Sequence, residues 1–326
     1  MEAATYSSPA KVILCGEHFV VYRGRAIACA IPKRAYATAI VRGDGLISID
    51  SLDTNYSCVW KGDKVVKSSD KSAPRRLRPL KAMLDQVVER YGAKGFSLRI
   101  KSEIPRGMGL GSSASVSLAA ASACLAALNI EPSQSEVMEL ASVSESSIHF
   151  RASGIDIAAS LNGGVISFIR GEKPRQIPIE GSMELLLIST ERGRRTGEVV
   201  RRVAALRDQF VGIFDRLLAV NDEICNELEL ALTNRRLERV GTLFLLSHDL
   251  LRVIGVSNKQ LDLAVETAVK SGALGAKLTG AGGGGYVVAI AAENKSHEVA
   301  KAISGKFKVE VVKIPHEGLR REVTSV

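Results

Sequence analysis

The densest cluster of residues able to meet a polyanion is Ile104-Pro105-Arg106-Gly107-Met108-Gly109-Leu110-Gly111-Ser112-Ser113-Ala114. Glycines at 107, 109 and 111 let the backbone take positive φ and come close to a ligand. The uncharged, alanine-rich stretch behind them predicts a helix over residues 112–128. The first N–H groups of such a helix lack partners and lie at the positive end of its dipole, which makes an anion cradle. Ser112 and Ser113 add hydroxyls that can meet phosphate or Mg2+. The loop is not a Walker A sequence, since no Gly-Lys-Ser/Thr occurs in it. Nor does its glycine spacing suit a dinucleotide fingerprint, which also needs an acidic residue about twenty positions on. Serines capping a tight helix entry are the plainer alternative. A second glycine cluster, Gly280-Ala281-Gly282-Gly283-Gly284-Gly285, follows Lys277-Leu278-Thr279. Such a run is entropically costly and fits two backbones packed beside a ligand, or a hinge.

The elements that must position these loops alternate in blocks. Apolar runs predict strands at residues 11–14 and 26–31, with alternation through 35–41 and 46–49 and a hairpin within 54–66. The turn between the first two strands holds Gly16-Glu17-His18. Helical spacing over 80–91 gives way to a strand at 96–100, which leads into the loop at 105–111. Helices are predicted at 112–128 and 133–147, then a glycine-containing segment at 153–164 and a strand at 165–169. The polar stretch 171–181, with its two prolines, is the candidate boundary between domains at 1–175 and 176–326. Beyond it come a strand at 184–189, helices over 198–232, 237–254 and 261–271, and strands at 286–291 and 309–314. Strands and helices in blocks, without repeats, define an α+β protein.

Composition narrows the function classes. With 326 residues, 46% apolar and 24% charged, the chain can bury two cores and is not disordered. The net charge of +9 would suit nucleic acid, anionic membrane or small acidic substrates. The basic patches at 75–81 and 192–202 carry no interleaved aromatics, which argues against nucleic acid. Five cysteines without a CxxC read as buried hydrophobes in a reducing compartment, and the five histidines show no zinc spacing. Met1–Ser8 lacks the pattern of a signal peptide. Residues 107–130 are free of charge but too rich in serine, alanine and glycine for a membrane span. A cytoplasmic protein without a membrane partner is the expectation.

Three separated segments, residues 9–18, 105–115 and 277–285, stand in an order similar to that of the GHMP kinase superfamily and span nearly the whole chain. Within it the chain most resembles the mevalonate kinase family. The opening Lys11-Val-Ile-Leu-Cys-Gly-Glu-His-Phe-Val-Val-Tyr22 is similar to that family's N-terminal signature. Residues 272–282 are similar to its C-terminal one, and Glu145 to Asp156 matches its catalytic segment in length and in the Ser-Gly-Ile-Asp ending. One departure stands out. Phe150, Arg151 and Ala152 occupy positions where the family commonly has Gly, a variable residue and Pro.

The resemblance implies a two-domain fold: an N-terminal domain like ribosomal protein S5 domain 2 and a C-terminal ferredoxin-like α/β sandwich, with the active site in the cleft. It implies ATP as co-substrate, Mg2+ as cofactor and mevalonate as acceptor. Asp156 would take the proton of the attacking hydroxyl, and Lys11 would sit beside both. Ser112 and Glu145 would hold Mg2+, hard oxygen ligands for a hard cation. Pro105, Gly107, Gly109, Leu110, Gly111, Ser112, Ser113 and Ala114 would bind the ATP phosphates. Gly280, Ala281, Gly282 and Gly283 would close over phosphate or substrate. Glu17 and His18 would lie near the acceptor's hydroxyl and carboxylate, with Arg194 and Thr196 reaching it from the second domain. Each residue has a bland alternative: a helix cap for Asp156, an edge residue for Lys11, a solvated turn for the basic patch. The departure at 150–152 leaves another small alcohol acceptor open, and a ligand sensor that has lost catalysis is the reading from a different class. The sequence is silent on oligomeric state, a homodimer being the assembly kept in view.

Overall fold

The computed structural model describes residues 3–146, 153–191 and 196–323. Its first sheet is built around two long strands, β1 (Ala4–Cys15) and β2 (Ala26–Arg42), both buried along most of their length. The two apolar runs read from residues 26–31 and 35–41 belong to this one strand β2, because an irregularity opposite Pro9 and Ala10 absorbs Pro32 and Lys33 without ending the pairing. β3 (Leu46–Ser51), β4 (Tyr56–Lys61) and β5 (Lys64–Ser68) extend the sheet beyond β6 (Gly95–Ser102) in the order β1-β2-β6-β3-β4-β5. The β3–β6 pair is parallel. β7 (Val165–Phe168) pairs with β2, and β8 (Arg175–Ile177) pairs with β7.

Of helices α1 (Ala73–Tyr91), α2 (Ser112–Ala127), α3 (Gln134–Ser146) and α4 (Ile155–Asn162), all but α3 pack on this sheet, and α3 packs on the other three. From Ala114 to Leu125 every residue of α2 is buried, which explains why residues 107–130 carry no charge. It is a helix surrounded by protein, and no helix among the described residues is long and apolar enough to cross a membrane.

The second sheet has the order β10-β11-β9-β12, all antiparallel: β9 (Glu184–Ser189), β10 (Ala273–Thr279), β11 (Tyr286–Ala291) and β12 (Lys308–Lys313). Around it lie α5 (Thr196–Gln209), α6 (Val211–Thr233), α7 (Leu237–Val253), α8 (Lys259–Lys270) and α9 (Ser296–Ile303). The helical stretch expected over 198–232 consists of two helices, α5 and α6, parted at Phe210, whose backbone leaves helical geometry at φ −131°, ψ 55°. Strand β10 went unread because its glycines mask the alternation, and α9 and β13 (Arg320–Arg321) because they are short. We propose the division into domains near residues 175–176, with β8 straddling it and β13 returning to pair with β1.

Strand β10 is held by two devices. Gly275 lies so close to α7 that a Cβ there would stand 1.9 Å from the carbonyl oxygen of Gly241. Beside it, buried His248 on α7 accepts a hydrogen bond at Nδ1 from the Leu278 N–H at 3.3 Å, and its Nε2 donates to Asp262 Oδ1 at 3.2 Å. This arrangement needs the neutral ring, since imidazolium has no acceptor nitrogen.

Gly275→Ala should therefore cost about 2–3 kcal/mol by overpacking. Gly43→Ala, where a Cβ meets nothing within 4 Å, should stay within about 0.5 kcal/mol of the parent. Denaturant melts compare them, and equal midpoints for all three proteins would contradict this packing. Burial pushes the His248 pKa below its ordinary value, with Lys277 acting the same way and Asp262 and Asp249 opposing. The unfolded chain then binds the extra proton first, so this contribution is complete above about pH 6.5 and is lost as pH falls below it. Melts from pH 7.5 to 5.5 should show a steeper loss for the parent than for His248→Gln, and equal slopes would contradict the neutral-ring assignment.

Candidate active site

Lys11 lies in the middle of β1 with its side chain only 2% exposed. A buried ammonium must be paired, and Nζ meets Asp156 Oδ1 at 2.9 Å and donates to the Gly109 carbonyl at 3.2 Å. Its own backbone N–H donates to Leu110 O at 2.9 Å, so one residue ties β1 to the glycine loop twice. Asp156 stands in the first turn of α4, after Gly154 at φ 85°. Its carboxylate is 38% exposed, so it faces both the buried amine and solvent.

The loop at 105–111 then enters α2 through Gly111, at φ 75°. A Cβ on Gly111 would stand 3.0 Å from Lys11 Cγ, so this glycine is where the chain passes over the lysine stem. No side chain caps the N-terminus of α2. Ser115 turns its hydroxyl inward instead, donating to Pro9 O at 2.7 Å. Ser112, Ser113 and Ala114 are thereby left at the mouth of the loop, with both serines half-buried. Arg106 anchors the far side through Asp53 at 3.2 Å and Ser51 at 3.1 Å. Glu145, near the end of α3, is buried, and α3 packs along α2.

The turn after β1 brings Glu17 and His18 to the second sheet. A Cβ at Gly16 would stand 2.4 Å from Arg25 O, so the turn closes tightly on itself. Asn221 and Asp222 of α6 grip it from outside: Asn221 Nδ2 donates to Arg25 O at 3.0 Å, and the Arg25 N–H donates to Asp222 Oδ1 at 2.8 Å. His18, at φ 63°, places Nε2 2.9 Å from Ala281 O in the second glycine cluster. Glu17 is buried against Lys277 of β10. Thr279 completes the seam, its hydroxyl accepting from the Ile13 N–H at 2.8 Å and donating to Ile13 O at 3.0 Å. Gly282 is packed so that a Cβ would meet Val256 O at 2.2 Å, and Gly283 N–H donates to Val256 O at 2.9 Å. Gly280 and Gly283 take φ of 80° and 72°, in the left-handed region that glycine favours.

Lys11, Asp156, the loop from Pro105 to Ala114, Glu17, His18 and the second glycine cluster are thus linked through β1 into one region. Thr196 begins α5. Arg194 and the departure at 150–152 lie outside the described residues. Sequence reasoning placed Lys277, Thr279 and Arg106 within the two glycine motifs without giving them a role, and it did not find the Asn221–Asp222 grip. A lysine within the apolar run of β10 was a signal that a buried carboxylate had to face it. The grip on Arg25 left no comparable pattern.

Two family profiles and several known proteins match this chain. The family profile described as "GHMP kinases N terminal domain" matches residues 78–164, and that described as "GHMP kinases C terminal" matches residues 228–309. The chain is 36% identical to a mevalonate kinase of Thermococcus gammatolerans over 330 residues, covering 97% of each. It is 34% identical to that of Pyrococcus furiosus over 332 residues, again covering 97% of each. The Methanococcus jannaschii mevalonate kinase superposes with a TM-score of 0.80 at 26% identity, covering 96% of this chain and 99% of that one. The L. major mevalonate kinase in complex with R-mevalonate gives a TM-score of 0.76 at 26% identity, covering 98% and 97%. With such identity over its full length and both family profiles in order, this chain belongs to the mevalonate kinase family of the GHMP kinases.

Proposed function

We infer that this chain transfers the γ-phosphoryl group of ATP to the 5-hydroxyl of mevalonate, giving 5-phosphomevalonate and ADP for isoprenoid synthesis. The observation that carries the reading is the Lys11–Asp156 pair at the mouth of the glycine loop. The full-length kinship with mevalonate kinases supports the acceptor. Five buried free thiols suit a reducing compartment, which supports the cytoplasm as the place of reaction.

Phosphoryl transfer asks for alignment and charge neutralisation more than for covalent help from the protein. The loop from Gly107 to Gly111 and the uncapped N-terminus of α2 would receive the ATP phosphates on backbone N–H groups. The acceptor hydroxyl would lie between Lys11 and Asp156. As its oxygen bonds to the γ-phosphorus and the bond to the ADP oxygen breaks, Asp156 takes the hydroxyl proton. The Lys11 ammonium stabilises the negative charge growing on that oxygen. Because Lys11 is buried and fixed by Gly109 O, this stabilisation needs no reorganisation during reaction.

Magnesium is held in such sites by one or two protein oxygens plus the nucleotide phosphates. The buried carboxylate of Glu145 and the half-buried hydroxyl of Ser112, on adjoining helices, fit that donor set. Bound there, the ion would neutralise phosphate charge.

Asp156→Asn should lower kcat about 10²–10⁴-fold while leaving nucleotide affinity nearly intact. A coupled ADP-release assay and nucleotide titration measure both, and near-full turnover would remove Asp156 from its role. Ser112→Ala and Glu145→Gln should each raise the Mg2+ concentration needed for half-maximal rate and lower turnover. Mg2+ titrations superimposable on the parent would take these residues out of the metal site.

A further inference from the structure

After β12 the chain leaves the second sheet and runs back across the first as a tail, residues 314–322. The Ile314 N–H still donates to Met183 O at 3.1 Å, just ahead of β9. The next contacts fall on the end of α4. Pro315 O accepts from the Gly164 N–H at 2.9 Å, and the Leu319 N–H donates to Leu161 O at 3.1 Å. Between these bonds the two backbones are pressed together. A Cβ on buried Gly318 would stand 2.1 Å from Leu161 O, and one on Gly163 would stand 2.3 Å from the Gly318 nitrogen. Glycine at both positions permits so close an approach.

The far half of the tail lies on β1. β13 pairs with it antiparallel, Arg320 opposite Ser7 and Arg321 opposite Tyr6, and the Glu322 N–H donates to Thr5 O at 2.9 Å. Buried Arg34 of β2 joins the two halves. Its Nη2 donates to Gly318 O at 2.7 Å and to Ser7 O at 2.9 Å, while Nε donates to Ser7 Oγ at 2.7 Å. A planar guanidinium holds these acceptors in a fixed geometry that a lysine cannot reproduce.

These two anchors are the elements that carry the reacting pair. α4 has only 8 residues, so a hold on Leu161 acts on the same short rod that bears Asp156 in its first turn. Ser7 precedes Lys11 on β1. The 2.9 Å contact between Asp156 and Lys11 depends on how α4 sits against β1, and the tail is bonded to both. We propose that Gly318 is a positioning residue for phosphoryl transfer: by letting the tail lie flat on the end of α4, it seats Asp156 against Lys11. The inference rests on the functional reading above and adds to it the element that aims the pair. Because the tail follows β12, it also fastens that pair to the second sheet.

The test uses the full chain with Gly318→Ala, Asp156→Asn and the double variant, assayed by ADP release with Mg·ATP and mevalonate. Nucleotide-binding stoichiometry counts the folded chains, and rates are taken per binding site. Gly318→Ala should lower kcat about 10–100-fold, the scale expected when a reacting group is displaced by about 1 Å. Both KM values should stay within about threefold of the parent. In the Asp156→Asn background the same substitution should cost less than about twofold further, because groups that act as a unit are not additive. An unchanged kcat in Gly318→Ala would overturn the proposal. So would an equal loss in both backgrounds, which is what general damage to the fold produces. If Gly318→Ala does not fold, Arg34→Lys is read in its place, since it keeps the charge and loses the fork. It should show the same loss of kcat confined to the Asp156 background, and parental rates or an equal loss in both would overturn the proposal. A parent that turns over no mevalonate at all would overturn the functional reading itself, which separates the two failures.

Discussion

A buried amine organises this molecule. Lys11 lies buried on β1 of the first sheet, where removing an ammonium from water costs several kcal/mol unless good partners meet it. Two otherwise separate segments are brought to it: the glycine loop, by way of Gly109 O, and the first turn of α4, by way of Asp156. The loop passes directly over the lysine stem at Gly111, and both Gly111 and Gly154 take left-handed conformations at the two helix entries. The anion cradle and the candidate base are consequences of solvating one charge inside a sheet.

The second domain reaches the same strand by a different route. Thr279 satisfies both backbone groups of Ile13, Lys277 pairs with Glu17, and Ala281 O meets His18. All three come from the run that starts at Lys277, held in turn by His248 and by the close packing of Gly275 on α7. The glycine cluster is therefore a junction as well as a loop. Its glycines are set by backbone crowding at Val256 and by left-handed turns, which answers why so entropically costly a run occurs there.

Much of this was legible beforehand because the chemistry is local. The loop from Gly107 to Ser113 announces itself by glycine spacing ahead of an uncharged helix, and the α+β block order follows from periodicity. The kinship added what spacing alone could not, namely that Lys11 and Asp156, 145 positions apart, belong together. What escaped was long-range and singular. Nothing in the pattern around Arg25 says that Asn221 and Asp222 hold it, and nothing around Asp53 says that Arg106 reaches back to it. Short elements such as α9 and β13 escaped because eight and two residues carry too little periodicity to count.

The measurement that tests the central claim most directly is ADP release with Mg·ATP across a short acceptor panel, with the phosphorylated position read by phosphorus NMR. The panel holds mevalonate, phosphomevalonate, diphosphomevalonate, galactose and homoserine. The account predicts turnover on mevalonate with the 5-phosphate as product. Turnover confined to another acceptor, or phosphate placed on a different hydroxyl, would contradict the assignment of the Lys11–Asp156 pair to the 5-hydroxyl of mevalonate.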